Sequence, residues 1–136
     1  MKTDGSVIKS IEHIAILASD PGALARWYCE TLAFTVLVAT EAKGQFFVGL
    51  PEGGVVEFLP ANDRTRAHQV SDDAGIRHIA FTVDDYDASA RCLEESGVEF
   101  NSPHKEPTGG NRMNFFNDPE GNLLQLVWRP KPLGSE

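Results

Sequence analysis

Two histidines, a glutamate and a glutamine stand where strand residues should be apolar, and they occupy equivalent places in two copies of one pattern. The first copy reads Ile11-Glu12-His13-Ile14-Ala15-Ile16, and the second, 65 positions on, reads Ile76-Arg77-His78-Ile79-Ala80-Phe81. A further pair of segments matches at a spacing of 68 positions: Pro51-Glu52-Gly53-Gly54-Val55-Val56-Glu57-Phe58-Leu59 and Pro119-Glu120-Gly121-Asn122-Leu123-Leu124-Gln125-Leu126-Val127. The repeat superposes His13 on His78 and Glu57 on Gln125. Two imidazoles, a carboxylate and an amide oxygen suit a divalent cation. Two related modules packed about a pseudo-twofold axis can bring four such side chains together.

The elements that must hold these residues follow from the patterning. Self-similarity at this period exceeds that of solenoid repeats and indicates a duplicated domain half. Module one covers about residues 7–60 and module two about 75–129, with a polar linker at 61–74 and a proline-bearing tail at 130–136. Each module reads strand, helix, then three strands. Residues 9–18 form the first strand, and Ser19-Asp20-Pro21 caps a helix whose Leu24, Trp27, Tyr28, Thr31 and Leu32 share a face. Strands at 34–40, 45–50 and 55–60 follow, with turns at Gly44 and Gly53-Gly54. Module two repeats the order: a strand at 76–83, then a helix capped by Asp84-Asp85 with Tyr86, Ala90, Leu93 and Gly97 on one side. Strands at 98–101, 112–117 and 122–128 complete it.

Side chains alternate faces along a strand. Ile14 and Ile16 therefore oppose His13 and Ala15, Val56 and Phe58 oppose Glu57, Ile79 and Phe81 oppose His78, and Leu124 and Leu126 oppose Gln125. One face of each strand is wholly apolar and packs under the module's own helix. The other is apolar except for one polar residue and, at one strand end, Thr82. Burying an unpaired carboxylate costs several kcal/mol, so such groups belong around a cation or a polar ligand.

Bulk properties narrow the partners. The 136 residues fit one compact domain, and 41% hydrophobic with 24% charged residues is ordinary globular composition. A formal net charge of −8 without clustered Lys or Arg excludes nucleic acid and anionic membrane surfaces. No apolar run reaches the roughly 20 residues of a membrane span, and the N-terminal stretch is not a secretory signal, which predicts a cytoplasmic protein. Cys29 and Cys92 fit no metal or redox spacing and are expected as reduced thiols in helices.

These residues, together with Asn117-Asp118-Pro119-Glu120-Gly121-Asn122, resemble the vicinal oxygen chelate superfamily. That family includes glyoxalase I, bleomycin-resistance proteins, extradiol dioxygenases, fosfomycin-resistance enzymes and methylmalonyl-CoA epimerase. The resemblance spans nearly the whole chain and implies an α+β fold of two tandem βαβββ modules, with sheets curled around a metal and substrate cup. By position it implies His13, Glu57, His78 and Gln125 as metal ligands, and a homodimer. Most members carry glutamate where this chain has Gln125, a neutral donor. A divalent ion bound with Glu57 as the one carboxylate would keep about one positive charge.

The chemistry so implied is that of a glyoxalase I-like lyase or isomerase acting on a small oxygen-rich metabolite. The metal (Ni, Zn, Mn, Co or Fe) would stabilise an enediolate, and Glu57 would be the base. Arg112 and Asn114, on one face of a strand entered from Gly109-Gly110-Asn111, are candidate substrate-binding residues. Two other readings stay open: a metal-free bleomycin-resistance-type ligand-binding protein, and an extradiol-type dioxygenase, which Gln125 disfavours.

Overall fold

The computed structural model describes residues 7–64, 72–106 and 110–135. Half of the expected linker, residues 65–71, lies outside the described residues, as do Gly109 and the N-terminal stretch that bears on targeting. The chain divides into two compact units, Met1–Arg64 and Thr65–Glu136.

In the first unit, β1 (Ile14–Ala18) leads into α1 (Pro21–Leu32), followed by β2 (Thr35–Thr40), a 3-10 turn (Glu41–Lys43), β3 (Gln45–Gly49) and β4 (Val55–Pro60). Helix α1 starts where the sequence predicts: the Asp20 carboxylate accepts from the Ala23 N–H at 3.0 Å, and Pro21 occupies the first turn. It stops at Ala33, which is left-handed at φ 62°, and the Phe34 N–H returns to the Tyr28 carbonyl at 3.2 Å. The sheet order is β1-β4-β3-β2, with β1 parallel to β4 and the other pairs antiparallel. Leu24 and Tyr28 of α1 are buried with Val48, Val56 and Phe58, and the Tyr28 ring packs on Phe58 at 4.9 Å between centroids. Truncating Phe58 to Ala would cost about 3–5 kcal/mol by lost burial and cavity.

In the second unit, β5 (Ile79–Thr82) precedes α2 (Tyr86–Glu95), β6 (Arg112–Asn117) and β7 (Leu123–Trp128), in the sheet order β5-β7-β6. Asp85 caps α2 by accepting from the Ala88 N–H at 3.1 Å. Tyr86, Ala90 and Leu93 are buried, as are Phe116, Leu124 and Leu126. The first unit keeps the βαβββ order and the second runs βαββ with a single bridge in place of the missing strand, and the fold is α+β as expected, consistent with tandem βαβββ modules.

Two strand expectations need correcting. The strand expected at 98–101 is reduced to one bridge, Phe100 to Phe116. The Asn101 N–H still reaches the Phe115 carbonyl at 2.8 Å, but at the next residue the Asn114 side-chain amide donates to the Ser102 carbonyl at 2.8 Å and Pro103 has no N–H, so the pairing goes no further. The leading strands are also shorter than expected, at Ile14–Ala18 and Ile79–Thr82. Their partners β4 and β7 begin only after the turns at Gly53-Gly54 and Pro119-Glu120-Gly121, so residues further upstream have no strand to pair with. His13 and His78 each sit one residue before their strand.

Candidate metal centre

Glu57 sits mid-strand in β4, opposite Ala15 of β1 and Phe47 of β3, on the face turned away from α1. It is only 7% exposed, so its carboxylate must find partners inside the protein. Oε2 accepts from the Gln45 side-chain amide at 2.6 Å. Oε1 lies 3.3 Å from His13 Nε2. On the far side of the imidazole, Nδ1 is 3.0 Å from the Glu12 carboxylate, and the edge of the His13 ring meets Phe47 at 5.5 Å.

A carboxylate only accepts, and each ring nitrogen of His13 faces one, Nδ1 toward Glu12 and Nε2 toward Glu57. An imidazole nitrogen and a carboxylate oxygen at this separation need a proton or a cation between them. Two donors bonded to one metal at about 2.0–2.2 Å stand roughly 3.0–3.4 Å apart for tetrahedral or octahedral angles, a spacing the His13–Glu57 pair matches. With a metal bound, Glu12 and Gln45 would take the supporting places behind the two ligands.

The second unit holds the equivalent pair differently. Gln125, also 7% exposed, lies opposite Ala80 of β5 and Phe115 of β6. Its amide donates to the Met113 thioether at 3.2 Å, leaving the carbonyl oxygen as its free acceptor. His78 contacts the Phe115 ring edge-on at 5.1 Å, and its Nδ1 lies 3.1 Å from an Arg77 guanidinium nitrogen. His78 and Gln125 therefore share the face opposite α2.

Arg112 and Asn114 lie elsewhere. They share a face, as their spacing predicts, but it is the face of Phe116, Leu124 and Leu126, under α2. Arg112 pairs with Asp87 at 2.8 Å and stacks over Tyr86 at 4.4 Å. Asn114, 4% exposed, is bonded through its side chain to Ser102 and the Phe115 N–H. His104 pins this side: Tyr86 donates to its Nδ1 at 2.9 Å, and its Nε2 donates to Glu94 at 3.2 Å. Burial, ahead of the opposing effect of the Arg112 charge, pushes the Tyr86 phenol up. This network fixes the helix side of the sheet, so the substrate-handle reading of Arg112 and Asn114 conflicts with their placement.

The structure thus brings His13 to Glu57, and sets His78 and Gln125 on one face. Among the described residues, no group of three or more His, Cys, Asp or Glu side chains is arranged so that it could hold a metal ion. Gln45 was missed at the sequence level because its partner is defined by the β3–β4 register. Both cysteines are free and lie in the helices, and burial, then the Glu30 charge, pushes the Cys29 thiol up. Among the described residues, no helix is long and apolar enough to cross a membrane.

Comparison with known proteins agrees with this architecture. The chain is 35% identical over 124 residues to the uncharacterized protein YwkD of Bacillus subtilis, covering 88% of this chain and 97% of that one. It is 34% identical over 123 residues to the uncharacterized protein YaeR of Escherichia coli, covering 88% and 95%. The crystal structure of a glyoxalase family protein from Enterococcus faecalis superposes with a TM-score of 0.70 at 31% identity, over 88% of this chain and 97% of that one. The family model for the Glyoxalase/Bleomycin resistance protein/Dioxygenase superfamily matches residues 10–126, and the chain belongs to that superfamily.

Proposed function

We propose that this protein is a metal-dependent, glyoxalase-like lyase or isomerase acting on a small hydroxycarbonyl metabolite. His13 and Glu57 form one metal half-site, and His78 and Gln125 form its equivalent. The observation that carries this reading is the 3.3 Å approach of His13 Nε2 to Glu57 Oε1, with Glu12 at the far ring nitrogen and Gln45 at the far carboxylate oxygen. A mixed nitrogen and oxygen set suits a first-row divalent ion such as Ni, Zn, Mn, Co or Fe.

When bound, the cation supplies Lewis acidity to two neighbouring oxygens of the substrate. Glu57 supplies the base. The substrate C–H bond beside the carbonyl breaks, the proton passes to a Glu57 carboxylate oxygen, and the electron pair is delocalised onto the carbonyl oxygen. Gln45 holds Oε2, so Oε1 is the oxygen directed toward His13 and the reacting face. Phe47 packs on the edge of His13 at that face and restrains the ring.

The test has two arms. Protein purified without an affinity tag should take up one of these ions on titration, and failure to bind any of them would leave the metal-free ligand-binding reading in its place. The metal-loaded protein should exchange the α-protons of dihydroxyacetone in D2O, followed by NMR. Glu57→Gln should abolish that exchange with the fold intact by circular dichroism, and a fully active variant removes Glu57 as the base.

A further inference from the structure

The face of β7 that carries Gln125 also carries a positive charge that the proposed chemistry does not use. Arg77 immediately precedes His78. Its guanidinium lies over the Phe115 ring, 5.0 Å from the centroid, and one of its nitrogens is 3.1 Å from His78 Nδ1. Phe115 is the cross-strand neighbour of Gln125 and touches His78. Guanidinium, imidazole and amide therefore line one surface.

Three observations mark this arginine as a binding group. It is exposed, and among the described residues no carboxylate pairs with it, whereas Asp87 neutralises Arg112 at 2.8 Å. The aromatic ring beneath it restrains the side chain while its in-plane N–H donors stay available, the fork that recognises carboxylate or phosphate. The third concerns His78. Arginine only donates, so His78 Nδ1 accepts and the ring proton sits on Nε2. A His78 that presents its Nε2 lone pair to a metal must carry the proton on Nδ1, which then no longer accepts from Arg77. Engagement of His78 as a ligand frees the guanidinium donor for something else.

We propose that Arg77 is an anion subsite that selects substrates carrying a carboxylate or phosphate beside their vicinal oxygens. For the substrate class this rests on the metal reading above. The experiment compares dihydroxyacetone, hydroxypyruvate and dihydroxyacetone phosphate, which share a hydroxyketone and differ in the anionic group. Each is titrated calorimetrically into Co(II)-loaded protein. The unaltered protein should bind the two anions at least tenfold more tightly than the neutral compound. Arg77→Gln should remove that preference, and Arg77→Lys should keep part of it, each read as the ratio of anion to dihydroxyacetone affinity in fully Co(II)-loaded protein. Undiminished anion preference in Arg77→Gln overturns the proposal. If the unaltered protein binds no metal, the reading of the function fails by itself, and Arg77 is judged by titrating metal-free protein with inorganic phosphate. Binding weakened tenfold by Arg77→Gln supports the subsite, and binding that is absent or insensitive to Arg77 overturns it.

Discussion

Replacing Gln45 by methionine keeps the side-chain length and deletes the N–H donor that stands 2.6 Å from Glu57 Oε2. A hydrogen bond to a charged group contributes about 1.5–3 kcal/mol. Gln45 is half-buried, and solvent screening lowers the expected loss to roughly 1–2 kcal/mol in metal-free protein. With a urea slope of about 1–2 kcal/mol/M, that displaces the unfolding midpoint by about 1 M. The larger effect falls on the metal. Once Oε2 is released, the carboxylate turns about its terminal torsion, and Oε1 no longer faces His13 Nε2 by default. Partners behind a ligand typically contribute 10–100-fold in metal affinity, about 1.4–2.7 kcal/mol. Competition against a chromophoric chelator, with Zn(II) or Co(II), measures this directly. Gln45→Met should bind at least tenfold more weakly. Affinity within twofold of the unaltered protein would refute the argument, and lost stability without lost affinity would reduce Gln45 to a packing contact.

Two further outcomes test the scaffold. Asp118, 4% exposed, accepts from the Glu120 and Asn122 N–H groups at 2.9 and 3.0 Å and from the Asn122 amide at 2.9 Å. Asp118→Ala strips these bonds from the turn entering β7 and should destabilise by roughly 2–4 kcal/mol in urea unfolding; a change below about 0.5 kcal/mol would contradict that accounting. Thiol reactivity should also split. Burial, then Glu30, raises the Cys29 thiol, so its thiolate fraction at pH 8 is reduced and grows only as pH climbs further, whereas Cys92 is exposed. A disulfide-exchange reagent at pH 8 should modify Cys92 first, and equal rates at the two positions would contradict the structure.

How much of this was legible beforehand depends on whether a feature is local. Asp20-Pro21 and Asp85 announce both helix starts because capping uses neighbours within three residues. The faces of His13, Glu57, His78 and Gln125 are legible because strand alternation needs no partner. Register does. Gln45 reaches Glu57 only through the β3–β4 pairing, and nothing in Gly44-Gln45-Phe46 states which β4 residue will lie beside it. Arg112 and Asn114 show the same limit from another side. Their spacing establishes that they share a face, but only the pairing of Phe116 with Leu124 and the stacking of Arg112 on Tyr86 reveal that the shared face is the helix side. The strand expected at 98–101 shrinks to one bridge, and just past it the Asn114 side chain takes the Ser102 carbonyl, a long-range contact that strand patterning does not reveal.

The two halves of the repeat have diverged at one position in particular, the residue before each histidine. Glu12 precedes His13 and Arg77 precedes His78, so opposite charges face the two Nδ1 atoms. A carboxylate at Nδ1 favours a proton there. A guanidinium at Nδ1 demands the lone pair and sends the proton to Nε2. The strand partners diverge in the same sense. Glu57 brings negative charge to the first pair, whereas Gln125, held by the Met113 thioether, brings none to the second. A glutamate in place of Gln125 would put a carboxylate on the surface that Arg77 and His78 share across Phe115, where it could neutralise the guanidinium and remove the anion subsite. The neutral amide leaves that charge available. On this argument the neutral glutamine is what leaves the Arg77 charge unneutralised on the second unit's sheet.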